Sequence, residues 1–209
     1  MAQVLVDRLQ VILVRCRVAQ AADARDRGMR MVVVDPMCNF AAAKAAEWVP
    51  IRPKTDPAFM YGLMHVMLHE MPRERLDLQF LRDHTGSPYL VAPNGYFLRD
   101  LATQKPLLWD TSRGAPVPFD TPDIIPSLEG TVTASGIELG PDDEEWQHEE
   151  IQVQTAFDHL VKQMEQYTPE WAEEICQVPE GCIRRIADEF VSYAQVGATT
   201  VIDGEELPL

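Results

Sequence analysis

The sequence predicts an α/β fold, with a Rossmann-like parallel sheet and flanking helices, plus an irregular excursion that contains a β-hairpin. Residues 31–34 are a continuous apolar run, which is typical of a strand buried on both faces. Helix-forming residues at 41–47 separate this run from a second short apolar run at 49–51, so the two runs predict neighbouring parallel strands. Asn94-Gly95, between two further apolar runs, predicts a tight hairpin because this pair suits positive φ values.

The beginning of the chain predicts a similar unit. Residues 11–14 suit a first buried strand, and residues 19–27 suit a helix that Gly28 ends as its C′ residue. Strand, helix and strand in this order form a βα unit that leads to a parallel neighbour, and such crossovers are right-handed.

A helix is predicted at residues 58–70, because Asp56 suits its N-cap position and Pro57 its first helical position. Two of its histidines, His65 and His69, stand four residues apart on one face, a spacing that can hold a metal ion. No third ligand accompanies them, so a helix surface or a packed imidazole is the favoured interpretation and no metal site is predicted.

The rest of the chain predicts a long connection and a helical return. Residues 101–145 are rich in Pro, Gly, Thr and Asp and predict an extended excursion over the surface. Helices are predicted at 74–84, 151–166, 171–176 and 181–193, and a strand that stops in mid-turn at 199–204. The predicted organisation is a Rossmann-like portion with the hairpin at 1–100, a loop-rich excursion at 101–149, and a helical return at 150–209 that belongs to the same domain.

Composition excludes several classes of protein. Of the 209 residues 46% are hydrophobic and 24% charged, as in ordinary soluble domains, and the net charge of −15 argues against nucleic acid and anionic membranes as partners. The four cysteines are too scattered for a disulfide framework, a zinc set or an iron–sulfur cluster. Charges interrupt the apolar stretch near the start, so neither a signal peptide nor a membrane span is predicted. A cytoplasmic and a periplasmic location both remain open.

Two carboxylates are the candidate binding residues. Asp35 follows the 31–34 strand and Asp56 follows the 49–51 strand, and ligands of open α/β sheets bind beyond the carboxyl ends of the strands. An ionised carboxylate only accepts hydrogen bonds, so it suits ribose hydroxyls or the ring N–H and amino group of guanine. Thr55 and Asn39 add a hydroxyl and an amide, and Lys54 suits a phosphate. The alternative is that Asp56 is an ordinary N-cap and Asp35 a polar strand end.

Several catalytic motifs are absent from the sequence. Gly28 is the only glycine before the Asp35 strand, so the usual dinucleotide fingerprint is missing. A nucleophile elbow, a Walker loop and a metalloprotease motif are missing as well. No catalytic residue is therefore predicted.

Two stretches, 24–36 and 45–56, resemble the molybdopterin oxidoreductases of the dimethyl sulfoxide reductase family, with an Asp-Pro after the first strand and Pro-x-Thr-Asp after the second. The similarity covers most of residues 19–195. It implies a large catalytic subunit that holds molybdenum or tungsten between two molybdopterin guanine dinucleotides (Mo-bis-MGD), with one guanosine held by these two loops. Carried over by position, the cofactor-binding residues are Asp35, Pro36, Met37, Cys38, Asn39, Lys54, Thr55 and Asp56.

The chain departs from the family pattern in ways that bear on activity. Lys54 stands where glycine is common in the family, and Met37 stands where arginine is common. The residue that ligates the metal and the cysteine-rich iron–sulfur motif are absent, so the chain is expected to be an internal fragment that does not catalyse alone. The partners that the resemblance implies are the remainder of the catalytic subunit, together with an iron–sulfur electron-transfer subunit. Iron–sulfur clusters are expected only in the missing regions.

Two other functions remain open from the sequence. One is a NAD-binding, Rossmann-like dehydrogenase with Asp35 on the adenosine ribose, which predicts a glycine-rich turn that is missing. The other is a non-catalytic nucleotide-binding or interaction remnant, which predicts an exposed apolar face. Binding of guanine as opposed to adenine nucleotides separates the first alternative from the molybdopterin interpretation.

Overall fold

The computed structural model describes residues 9–11, 22, 24–140, 144–194, 197–202 and 205–208. The chain forms two compact units, one from residues 1–76 with 164–209 and the other from residues 77–163. The helices are α1 (Asp56–His65), α2 (Leu78–His84), α3 (Ala156–Met164), α4 (Pro169–Cys176) and α5 (Cys182–Ala194). The strands are β1 (Leu9–Val11), β2 (Arg30–Val34), β3 (Glu47–Val49), β4 (Leu90–Val91), β5 (Leu107–Asp110), β6 (Ala115–Pro118), β7 (Thr131–Leu139), β8 (Glu145–Thr155), β9 (Thr199–Ile202) and β10 (Glu205–Pro208).

The first unit contains a parallel sheet with the order β1-β2-β3. Alternate side chains of β2 enter two apolar clusters, with Val32 on one face and Met31 and Val33 on the other. The α/β class and the parallel sheet are therefore confirmed, as is the burial of this strand on both faces. Residues 24–26 are helical and end before Gly28, whose φ is +100°. Most of the predicted 11–14 strand lies outside the described residues.

The predicted helix at 41–47 is wrong. Only Ala42–Lys44 form a 3₁₀ turn, and β3 begins at Glu47, two residues before the predicted strand. The amide of Ala46 already donates to the carbonyl of Met31, at 2.9 Å. Pairing with β2 thus outweighs the helix propensity of these residues, which is only a weak preference.

Helices α1, α4 and α5 enclose the main core of the first unit. A Cβ on Gly62 of α1 would lie 2.7 Å from the Cβ of Ala172 in α4, so the two helix backbones approach closely at this point. The predicted 58–70 helix changes geometry part of the way along, because Val66–Glu70 are π-helical. His65 is buried and its Nδ1 lies 2.9 Å from the carbonyl oxygen of Met164, so of the two interpretations the packed imidazole is the correct one for this residue.

The second unit contains a β5-β6 ribbon and a sheet with the order β4-β8-β7. The predicted hairpin is confirmed, since Leu98 donates its amide to the carbonyl of Leu90 and Ala92 donates to Tyr96, each at 2.8 Å. The turn is longer than an Asn-Gly pair requires, and only Gly95 of the pair has a positive φ, at +87°.

The predicted helix at 151–166 begins too early. Residues 151–155 complete β8, and α3 starts at Ala156. Val153 and Thr155 are buried, as alternate residues of a strand with one buried face. The predicted helix at 74–84 is likewise shorter, since α2 starts at Leu78 after an Asp77 cap.

Apolar patches within the predicted excursion form strands. Leu107 and Leu108 lie in β5, and Ile137 lies in β7, all three buried. The division into domains at residues 100 and 149 stays a prediction. None of the helices in the described part of the chain combines the length and the apolar character that a membrane span needs.

Candidate functional site

The two predicted loops leave the same edge of the sheet. β2 and β3 are parallel neighbours with Val34 opposite Val49, and the amide of Asp35 donates to the carbonyl of Val49 at 3.2 Å. Because both strands run in one direction, the loops that follow them begin side by side. Asp35 therefore lies where the sequence predicts it, at the carboxyl end of β2.

The carboxylate of Asp35 organises the first loop. One of its oxygens accepts the amide of Met37 and the other accepts the Asn39 side-chain nitrogen, both at 2.8 Å. The Asn39 side-chain oxygen in turn accepts the amides of Ala41 and Ala42, at the start of the 3₁₀ turn. Each carboxylate oxygen has a second lone pair, so Asp35 retains acceptor capacity for a ligand.

The middle of this loop presents side chains to solvent. Pro36 is exposed, Met37 is 72% exposed, and Cys38 is an exposed free thiol. Trp48, which belongs to β3 and not to this loop, donates its indole N–H to the carbonyl of Asp35 at 2.9 Å and so holds the start of the loop. The backbone of this loop is thus fixed while its side chains remain accessible.

The second loop differs from its prediction at the helix start. Thr55, and not Asp56, is the N-cap of α1, because its carbonyl accepts the amide of Phe59 at 3.1 Å. The Thr55 hydroxyl donates to the carbonyl of Arg52 at 2.6 Å. Asp56 is the first helical residue and Pro57 the second, so the negative charge still lies at the positive end of the helix dipole.

The carboxylate of Asp56 is exposed and accepts no hydrogen bond from the described residues. The predicted N-cap bond is therefore absent from the described structure, and both carboxylate oxygens keep their acceptor capacity. Lys54, two residues earlier, is exposed and has a left-handed backbone with φ +68°.

Cys176, at the end of α4, fastens this loop to the core. Its carbonyl accepts the amide of Arg52 at 2.9 Å, and its thiol donates to the carbonyl of Thr55 at 3.4 Å. Cys176 is fully buried, and burial raises the pKa of its thiol, so the group stays protonated and able to donate. The loop that carries Asp56 is thus held at both of its ends by a single residue.

The donor and acceptor set of the two loops suits a nucleoside. Carboxylate oxygens of Asp35 and Asp56 and the hydroxyl oxygen of Thr55 can accept from ribose hydroxyls or from a base with adjacent N–H groups. Arg52 and Lys54 are exposed, form no ion pair within the described residues, and can approach phosphates. The residues present therefore fit the guanosine end of a nucleotide.

The structure groups the predicted residues by loop. Asp35, Met37 and Asn39 are joined by hydrogen bonds, and Lys54, Thr55 and Asp56 are consecutive. Within the described ranges, no hydrogen bond or ion pair joins side chains of one loop to those of the other. The same ranges contain no group of three His, Cys, Asp or Glu side chains that could hold a metal ion.

Two supporting residues were not predicted from the sequence. Trp48 lies 13 positions from Asp35, and Cys176 lies 121 positions from Thr55. Both act through a backbone carbonyl, which carries no signal in the amino-acid sequence. That Trp48 and Cys176 hold the two loops is therefore visible only in the folded structure.

Comparison with known proteins identifies the relatives of this chain. Residues 7–178 match the profile of the family described as Molybdopterin oxidoreductase. The chain is 31% identical to a subunit of sulfite dehydrogenase from Allochromatium vinosum, over 81% of this chain and 17% of that protein. It is 26% identical to the alpha subunit of chlorate reductase from Ideonella dechloratans, over 87% of this chain and 20% of that protein. It is 25% identical to the alpha subunit of dimethylsulfide dehydrogenase from Rhodovulum sulfidophilum, over 80% of this chain and 19% of that protein. The chain thus spans about a fifth of the length of these curated relatives.

Proposed function

The chain belongs to the molybdopterin oxidoreductase family, and on this basis we propose that its two loops beyond β2 and β3 hold one guanosine of a molybdopterin guanine dinucleotide. The membership in the family implies a molybdopterin cofactor, while the dinucleotide form and the site are the proposal. The residues assigned to binding are Asp35, Pro36, Met37, Cys38, Asn39, Lys54, Thr55 and Asp56.

The state of Asp56 is the observation that carries this proposal. Its carboxylate is exposed, accepts no hydrogen bond from the described residues, and stands on a loop that Cys176 holds in place. Guanine presents a ring N–H next to an amino group, and two carboxylate oxygens can accept both hydrogen bonds at once. Adenine places a lone pair beside its amino group, which a carboxylate repels. Asp56 therefore favours guanine over adenine.

The remaining groups suit the sugar and the phosphates. Asp35 retains one lone pair on each oxygen after its local hydrogen bonds, which is enough to accept a ribose hydroxyl. The cations Arg52 and Lys54 lie in the loop that leads to Asp56, and their positive charges can offset the negative charge of a diphosphate. Both carboxylates would repel a phosphate, so the phosphates are expected on the side of these cations.

The described residues supply positioning and no redox step. When bound, the cofactor's molybdenum or tungsten supplies the redox chemistry, and the share of these loops is to hold the nucleotide in a fixed place. No residue of this chain is assigned a catalytic part.

We propose further that these residues act within a larger catalytic subunit. Support comes from the relatives, of which the chain matches only about a fifth. Each of these relatives is named as one subunit of its enzyme, which supports the presence of other subunits. An iron–sulfur electron-transfer subunit is the partner we propose.

Calorimetric titration of the purified 209-residue chain with GDP and ADP tests the site. We expect the Kd for GDP to be at least about tenfold lower than that for ADP. In Asp56→Asn the Kd for GDP should rise roughly ten- to a hundredfold, because a hydrogen bond to a charged group contributes about 1.5–3 kcal/mol. Circular dichroism should show unchanged helix content in this variant.

Glu174→Gln is the matched control, because it removes one exposed carboxylate from α4 without touching either loop. Its Kd for GDP should stay within about twofold of that of the unaltered chain. Equal or tighter binding of ADP, or an unchanged GDP affinity in Asp56→Asn, would overturn the assignment and favour an adenine nucleotide or another site.

A further inference from the structure

Strand β8 of the second unit has one edge that no described strand covers over most of its length. β7 pairs with the other edge from Glu145 to Gln154, in antiparallel register. β4 adds only a short contact, opposite Gln154 and Thr155. Along residues 145–153, one row of backbone N–H and C=O groups therefore has no strand partner among the described residues, and such a row can template the addition of another strand.

Most residues in the open part of β8 are exposed. Residues 145–147, 149 and 150 are exposed, so this part of the ribbon is not buried against the core of its unit. Trp146 is 43% exposed, yet its ring packs over Gly140, where an added Cβ would lie 2.7 Å from a ring atom. A large aromatic surface is thus held in place beside an unpaired edge, as at protein–protein contacts.

Acidic side chains line this edge. Glu149 and Glu150 both lie opposite the single residue Ser135, in a bulge between the pairs Ala134–Ile151 and Gly136–His148. Neither glutamate forms an ion pair within the described residues.

The second unit as a whole is strongly acidic. Residues 77–163 contain fifteen Asp and Glu against five Lys and Arg. The field around the open edge is therefore negative well beyond the strand itself, and it attracts cationic partners and repels anionic ones.

This charge pattern decides which partner suits the edge. In a second copy of the chain, antiparallel pairing centred on the bulge would place Glu149 opposite Glu150 of the other copy, and like charges on facing strands are destabilising. An extended segment with Lys or Arg at alternate positions would place cations opposite these glutamates and could lay a guanidinium on Trp146. Strand addition then supplies main-chain hydrogen bonds, and the charges supply specificity.

We propose that the open edge of β8 at residues 145–152 is a docking site for an extended, Lys- or Arg-rich polypeptide segment, which adds to the sheet as a further strand. None of the residues assigned to nucleotide binding belongs to this edge, so the docking proposal and the guanosine proposal are tested independently.

Fluorescence anisotropy with the intact chain tests the proposal at about 0.15 M salt. The probe is a labelled ten-residue peptide that alternates lysine with threonine, and its counterpart carries glutamate in place of lysine. We expect only the lysine peptide to bind. The double variant Glu149→Lys with Glu150→Lys should weaken its binding at least about tenfold. The control Glu174→Lys with Glu180→Lys changes the net charge equally, on exposed residues outside β8, and should weaken binding less than about threefold.

Amide hydrogen exchange, followed by NMR, separates strand addition from general charge attraction. In an antiparallel or parallel ladder only alternate amides point to a given neighbour, and the bulge at Glu149 and Glu150 interrupts this alternation. When the lysine peptide binds, every second amide should therefore gain protection within residues 145–148, and the alternation should shift at the bulge before it resumes at residues 151 and 152. Equal weakening in the two double variants, uniform or absent protection, or no binding of the lysine peptide would each overturn the proposal. If the lysine peptide did not bind, the glutamates of β8 would serve only to prevent unwanted pairing of this edge with other strands.

Discussion

Lys54 holds a left-handed backbone in the loop between β3 and α1. Its φ of +68° lies in a region that costs an L-residue about 1–2 kcal/mol, because Cβ approaches the following carbonyl oxygen. Glycine has no such cost, so a glycine at this position would relax the turn. In this chain the position is occupied by a lysine, so the turn carries a positive charge together with backbone strain.

Lys54→Gly should therefore raise the free energy of unfolding by about 0.5–1 kcal/mol, after subtraction of the larger chain entropy that glycine has in the unfolded state. Urea unfolding followed by circular dichroism measures the change. Lys54→Ala removes the same charge but keeps Cβ, so its stability should stay within about 0.5 kcal/mol of the unaltered chain. An equal gain in both variants would mean that the charge, and not the backbone, is responsible.

At the scale of elements, α4 connects several neighbours of the candidate site. Thr168 caps its start by accepting the amide of Trp171 at 3.3 Å, and Cys176 at its end holds the Asp56 loop. The buried carboxylate of Glu173 accepts the amides of Gly181 and Ile183, at 3.1 and 3.0 Å, and so caps α5. Displacement of α4 would therefore disturb both α5 and the loop that carries Asp56.

The contact between α1 and α4 depends on Gly62. In Gly62→Ala the new methyl would lie 2.7 Å from the Cβ of Ala172 and 3.0 Å from Ile183, and the Ala172 contact is with an atom that cannot rotate away. Overpacking of this kind costs about 1–3 kcal/mol, and the better helix propensity of alanine recovers at most about 1 kcal/mol. We expect a net loss of about 1–2 kcal/mol in urea unfolding.

A double-variant cycle isolates this contact. Ala172→Gly gives the Gly62→Ala methyl the space it lacks, so the double variant should be more stable than the sum of the two single changes predicts. Additive losses would show that the helices do not meet at this pair. A neutral Gly62→Ala would lead to the same conclusion.

The elements that sequence reasoning predicted well carry their own local signals. α4 follows a Thr-Pro cap, Gly28 ends the helical residues before β2, and β2 is a continuous apolar run. The strand at residues 151–155 was missed because it depends on pairing with β7, some twenty residues earlier, which outweighs local helix propensity. Asp35 follows β2 at the position that the sequence predicts, and its part in binding, like that of Asp56, stays a prediction. The contacts of Trp48 and Cys176 with backbone atoms arise only from the tertiary fold.

At the scale of the whole molecule, the chain carries a net charge of −15, and several of its carboxyl groups have a pKa that the fold lowers. Burial alone would raise the pKa of Asp110, but Ser112, Ile125 and Arg113 donate hydrogen bonds that outweigh it and hold this pKa well below 3.8. Hydrogen bonds from Thr103, Lys105 and Arg184 lower the pKa values of Asp100, Asp120 and Glu170 respectively. Folding therefore favours the deprotonated form of each of these groups.

This predicts a particular dependence of stability on pH. A carboxyl group whose pKa is lower in the folded state stabilises the fold fully above its ordinary pKa, here 3.8 for Asp and 4.5 for Glu. The unfolded chain binds these protons first as the pH falls, so the stabilisation is lost progressively below about pH 4.5. In urea unfolding, the contribution of these groups to the free energy of unfolding should be nearly constant between about pH 7 and pH 5.5. It should decrease steeply between about pH 4.5 and pH 3.

Asp110→Asn separates the buried carboxylate from the general acidity of the chain. Asparagine keeps the shape but has no titrating group, so this variant should be less stable at about pH 7 and should lose less stability between about pH 4.5 and pH 3. Asp83→Asn is the matched control, since Asp83 is exposed and accepts no hydrogen bond from the described residues. It should follow the unaltered chain at every pH. If Asp110→Asn lost as much stability on acidification as the unaltered chain, the hydrogen bonds to Asp110 would not be a source of its acid sensitivity.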